Sequence, residues 1–94
     1  MAARNSLAVA LKRAREARGL SQEAFSDVSS RTYVSSLERG TKNPTLGKVE
    51  ALCSVLDVHP LTLLTLSYTG NRAADLESLF MRVRRELAAL ERAR

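Results

Sequence analysis

Apolar residues recur in this sequence at three- and four-residue spacing, but only in short bursts, and most bursts stop at a glycine, a proline or a small hydroxyl. That punctuation points to short packed helices. Leu7, Ala10, Leu11 and Ala14 make the inner stripe of a first helix. It is expected to start at a cap on Asn5 or Ser6 and to end at Gly19 in the left-handed conformation. Ser21 caps a second, short helix whose inner side is Ala24, Phe25 and Val28. Glu23, near its start, suits the positive end of the helix dipole. Ser30 caps a third helix and Gly40 closes it. Thr45 caps a fourth, with Leu46, Val49, Leu52, Cys53 and Leu56 inside. His59 as cap and Pro60 as first residue open a fifth, PLTLLTLSY. The β-branched and aromatic residues of that segment also permit a strand, but its length and starting proline favour a helix.

A composition shift follows Gly70 and Asn71. The segment RAADLESLFMRVRRELAALERAR is rich in Ala, Leu, Arg and Glu. Leu76, Leu79, Phe80, Val83, Leu87 and Leu90 fall on one stripe of a long amphipathic helix, and Leu76, Val83 and Leu90 are seven apart. The preceding helices suffice to close a core, so this stripe is expected to form a homodimer contact rather than pack on its own domain. Arg82, Arg84 and Arg85, with Glu77, Glu86 and Glu91, form its solvated face. The chain therefore divides into a domain at 1–69 and a C-terminal helix at 70–94.

Composition narrows the function. Aromatic residues are 4% of the 94 and Trp is absent, so the core is built of Leu, Val and Ala, which suits helices. Lys and Arg number 15 against 10 acidic residues, a net charge of +5. That excess serves solubility or a polyanionic partner. Cys53 is the single cysteine and sits on the apolar stripe of the fourth helix, a core position. One histidine, a core cysteine and no clustered carboxylates give no nucleophile–base pair and no metal set. No enzyme, cofactor or metal is expected. The apolar runs are too short to span a bilayer, and the N-terminal stretch carries charges inside its apolar residues, unlike a signal peptide. A cytoplasmic protein without membrane contact is expected.

The third helix, RTYVSSLERG, has an unusual outer face. Val34 and Leu37 point inward, while Thr32, Ser35, Ser36 and Arg39 share the opposite side. Small hydroxyls flanked by Arg31 and Arg39 allow close approach to a DNA major groove, where bulky or acidic residues would block it.

The order of helix, short helix, turn and polar-faced helix resembles the helix-turn-helix of the XRE family, which includes the phage lambda-type repressors and Cro. The matching residues are Leu20-Ser21-Gln22-Glu23, Val34-Ser35, Leu37-Glu38-Arg39-Gly40 and Asn43-Pro44, and the resemblance spans roughly residues 5 to 68. It implies an all-α, five-helix lambda-repressor-like domain, with the helix-turn-helix at 21–39, here followed by the long helix. It also implies a dimer and sequence-specific binding to double-stranded DNA, usually as a repressor reading a palindromic operator through helix 31–39. Base contacts are expected from Arg31, Thr32 and Ser36. Backbone contacts are expected from Ser21, Gln22, Tyr33, Arg39, Lys42 and Asn43. The family pairs the positions of Arg15 and Glu38 in a structural ion pair. The turn FSDVSSRTYVS lacks the family's usual glycine and is about two residues short, so the second helix must end early or the turn must be rebuilt around Ser29 and Ser30. A second reading is an antitoxin-like protein that binds a partner protein through the C-terminal helix as well as DNA.

Overall fold

Local capping chemistry sets most of the boundaries seen in the computed structural model, which describes residues 3–93, with side chains from Leu7 onward. Five α-helices follow one another: α1 (Ala3–Ala17), α2 (Arg31–Glu38), α3 (Leu46–Leu56), α4 (Pro60–Thr69) and α5 (Ala73–Arg92). A single 3-10 turn, Gln22–Phe25, lies between α1 and α2. No strand occurs among the described residues, so the segment from Pro60 is helical. Ser30 Oγ accepts from the Tyr33 amide, Thr45 Oγ1 from the Lys48 amide and His59 Nδ1 from the Leu61 amide, each at the start of a helix. Gly19 and Gly40 adopt positive φ at the ends of α1 and α2, as a left-handed stop requires. Asp57 does the same for α3 without being glycine.

Four expectations are corrected. The backbone is already helical at Ala3, so neither Asn5 nor Ser6 caps α1. The second helix is one 3-10 turn, and Ser21 precedes it without a side-chain capping bond. Ser26, Asp27 and Ser29 prefer turns to helix interiors, and the Phe25 carbonyl accepts from the amides of both Val28 and Ser29 at 2.9 Å. The early end is how the shortened connection is accommodated. Ala24 is exposed, because a 3-10 turn has three residues per turn and rotates it away from Phe25. Leu46 is 63% exposed, since it opens α3 ahead of the turn that meets the core.

The core is Ala10 and Leu11 of α1, Phe25, Val34 and Leu37 of α2, Val49, Leu52, Cys53 and Leu56 of α3, and Leu63 of α4. Phe25 is fully enclosed, so the 3-10 turn is anchored by one aromatic ring. No residue of α5 is buried. Leu76 and Leu79 are half-covered, while Phe80, Val83, Leu87 and Leu90 remain exposed. Between α4 and α5 lies an open apolar groove of about 750 Å³, lined in part by Leu61, Leu64, Tyr68, Leu79, Phe80 and Val83. Gly70 sets the angle between these helices with φ 60° and ψ −136°, a backbone conformation open essentially to glycine alone. No single helix among the described residues is long and apolar enough to cross a membrane.

Candidate nucleic-acid interface

Three segments meet at one carboxylate. Arg15 Nε donates to Glu38 Oε2 at 2.7 Å, and Arg15 Nη2 donates to Glu38 Oε1 at 3.0 Å. Gln22 Nε2 donates to the same Oε1 at 3.1 Å. Arg15 Nη1 also reaches the Leu20 carbonyl at 2.8 Å. The Glu38 side chain is only 4% exposed and that of Arg15 12%. A bidentate, charge-assisted pair in so dry a place fixes orientation strongly. The hydrogen bond to Glu38 pushes the Arg15 pKa above its ordinary value, against the opposing effect of burial. α1, the 3-10 turn and α2 are therefore tied together at this carboxylate.

A second brace holds the other end of α2. Lys48 Nζ donates to the Val28 carbonyl at 2.6 Å and lies 5.5 Å from the centre of the Tyr33 ring. With the Ser30 cap, it fixes how the rebuilt turn delivers the chain into α2.

The outer side of α2 carries a polar depression of about 310 Å³, lined by Gln22, Arg31, Thr32, Ser35 and Arg39. Arg31 and Thr32 are exposed at the first turn of α2. Arg31 Nε lies 3.4 Å from Glu23 Oε2, both side chains being well exposed. At the far end, Arg39 donates to the hydroxyls of Ser35 and, at 3.3 Å, of Ser36. Ser36 is only 6% exposed and its hydroxyl accepts from Arg39, while its carbonyl accepts from the Thr41 hydroxyl at 3.1 Å, so it does not present a free hydroxyl outward as expected. Arg39 and the following loop cover it. Ser35 holds the outward place instead.

The remaining expected contacts are spread around this depression. Ser21 is exposed at the entry to the 3-10 turn, and Lys42 and Asn43 are exposed in the loop after α2. Tyr33 is half-buried under Lys48.

Residues 11–63 match the family described as helix-turn-helix. The chain is also 43% identical over 54 residues to Control protein C.BamHI of Bacillus amyloliquefaciens, covering 55% of this chain and 67% of that protein. The chain belongs to the XRE family of helix-turn-helix proteins. No solved structure matches it.

As an XRE-family protein it is a helix-turn-helix DNA-binding regulator. The family match runs from Leu11 within α1 to Leu63 within α4, so it includes α2 and α3 whole and leaves α5 outside. The Arg15–Glu38 pair is present as the resemblance implied. Sequence reasoning put Ser35 on the outer face with Thr32 but missed that it, and not Ser36, is the hydroxyl left outward. It also missed the Lys48 brace and the Glu23–Arg31 pair. Lys48 is twenty residues from Val28, and no local pattern joins them. The Cys53 thiol is buried and its pKa is pushed up by desolvation, which makes it an inert core residue. Among the described residues no cluster of three or more His, Cys, Asp or Glu could hold a metal ion.

Proposed function

We propose that this protein is a dimeric transcriptional repressor, acting in the cytoplasm, that reads a palindromic operator by placing α2 in the major groove. The observation that carries this reading is the outer face of α2, where two arginines and small hydroxyls surround a depression on a helix pinned through Glu38. Arg31 and Thr32 meet base edges, with Ser35 next along the face in place of Ser36. Arg31 has the donor geometry for a guanine, and Thr32 and Ser35 are short enough to allow approach. Ser21, Gln22, Tyr33, Arg39, Lys42 and Asn43 hold the duplex backbone and fix register. Gln22 gives one amide hydrogen to Glu38 and keeps its remaining groups for phosphate or bases. The similarity to a relative named as a control protein supports the regulatory half of the reading.

Residues 1–69 are assigned to DNA binding and 70–94 to self-association. Leu79, Phe80 and Val83 with Leu61, Leu64 and Tyr68 leave an apolar surface that α5 extends through Leu87 and Leu90. The flanks of α5 carry both signs, including an Arg82–Glu86 pair at 3.0 Å, so a second copy meets an apolar seam and compatible charge together. A helix of 20 residues is about 30 Å long, near the ~34 Å between half-sites one DNA turn apart.

Selection of bound sites from random duplex DNA tests the reading. The expected product is a two-fold symmetric site. Its affinity should fall roughly 10³–10⁵-fold between 50 and 200 mM salt if a dimer neutralises ~6–10 phosphates. A flat salt response removes nucleic acid as the partner. Sedimentation of the pure chain separates the second reading: a stable homodimer supports the repressor, whereas an aggregating chain points to a missing protein partner on α5.

A further inference from the structure

We infer that Glu23 is a specificity-determining residue that steers Arg31 toward bases and away from phosphates. The inference rests on the duplex reading proposed above. Glu23 lies in the 3-10 turn and Arg31 opens α2. The early end of that turn at Phe25 brings them together, with Arg31 Nε 3.4 Å from Glu23 Oε2. Glu38, the other carboxylate on these elements, is occupied by Arg15 and Gln22. Neither Glu23 nor Arg31 is part of the core, so their pair has little to do for stability.

What the pair does is directional. A free arginine samples many rotamers and meets a phosphate as readily as a base. A carboxylate on the Nε edge narrows that range and leaves the two terminal nitrogens unclaimed by Glu23. Those two carry the fork of donors that matches O6 and N7 of a guanine. Because the side chain is restrained before the duplex arrives, less ordering is required on binding. The second effect is electrostatic. Phosphates are the same in every sequence, and a carboxylate beside Arg31 weakens its attraction to all of them. Glu23 thus lowers affinity for DNA in general and raises the contrast between the right base and the wrong ones. A glutamate placed only for solubility would do the first and not the second.

The test uses the full chain with Glu23→Gln, Glu23→Ala and Arg31→Ala, titrated with the selected duplex, with each single-base variant of its half-site, and with an unrelated duplex. Arg31→Ala should abolish the preference for guanine at one half-site position. Both Glu23 variants should melt like the parent and bind the unrelated duplex several-fold more tightly. At that guanine alone their preference should fall roughly three- to tenfold, a part of what one bidentate contact supplies. The slope of log affinity against log salt should steepen by up to about 0.9 per half-site as Arg31 turns to phosphate. Equal gains for every sequence, with the guanine preference intact, overturn the inference and leave the duplex reading standing. Arg31→Ala without effect on base preference also overturns it. A parent protein that selects no sequence at all overturns both.

Discussion

Leu63 on α4 and Leu90 on α5 are the same residue on stripes of the same period, yet one is 2% exposed and the other 67%. The difference lies in what surrounds each helix. α4 packs against α1 and α3, and its inner leucine joins a core cluster built from α1, α2 and α3, so it is covered from several directions. α5 packs chiefly on α4, and the cover of its apolar stripe reaches Leu76 and Leu79 and stops. A helical stripe therefore says that a surface is to be covered. It does not say by what, and here the two helices next to each other in the chain have opposite answers.

Four changes break or sharpen that contrast. The largest effect belongs to the closed region. Glu38→Ala leaves Arg15 charged and without its carboxylate in a nearly dry site, and should cost about 3–5 kcal/mol in urea denaturation. Removing residues 71–94 should cost far less, at most ~1.5–3 kcal/mol, because only two leucines of α5 are half-covered and full burial of one contributes about that much. The shortened chain should keep its helical circular dichroism and sediment as a monomer. If it unfolds, α5 belongs to the core and the contrast is wrong. Ser30→Ala removes the cap of α2 and should lower stability by ~1 kcal/mol in a thermal melt. Leu90→Ser should change the stability of the monomer by less than about 0.5 kcal/mol while weakening self-association, which sedimentation at several concentrations reads directly.

The parts of the fold legible in the sequence are those fixed by bonds a few residues long. The caps at Ser30, Thr45 and His59 and the stops at Gly19 and Gly40 need only the local chain, and each was readable as a residue type at a boundary. Errors fall on the flanks of stripes. Ala24 and Ser36 each lie next to a correct inward or outward residue, Leu46 lies one turn before the inward Val49, and only the neighbouring element decides which way they face. Ser36 is hidden because Arg39 folds over it and Thr41 bonds its carbonyl. The site was legible to the same degree. Arg15 with Glu38 came from family resemblance rather than from any pattern across their separation of 23 in sequence. Lys48 with Val28 and Glu23 with Arg31 depend on how a rebuilt turn folds back, which no periodicity encodes.

The shared carboxylate of Glu38 has a consequence for the other molecule. On the proposed reading, Gln22 touches the duplex backbone while Arg31 and Thr32 touch bases, and both groups hang from one stiff joint. The reading helix cannot pivot to suit a groove that is slightly too wide or too narrow. Any misfit is then absorbed by the DNA, through bending or a change in groove width. The cost of that deformation depends on the stacking of base pairs that no side chain reaches. On that same reading, a helix held in this way makes the flexibility of the operator, as well as its letters, part of what is recognised.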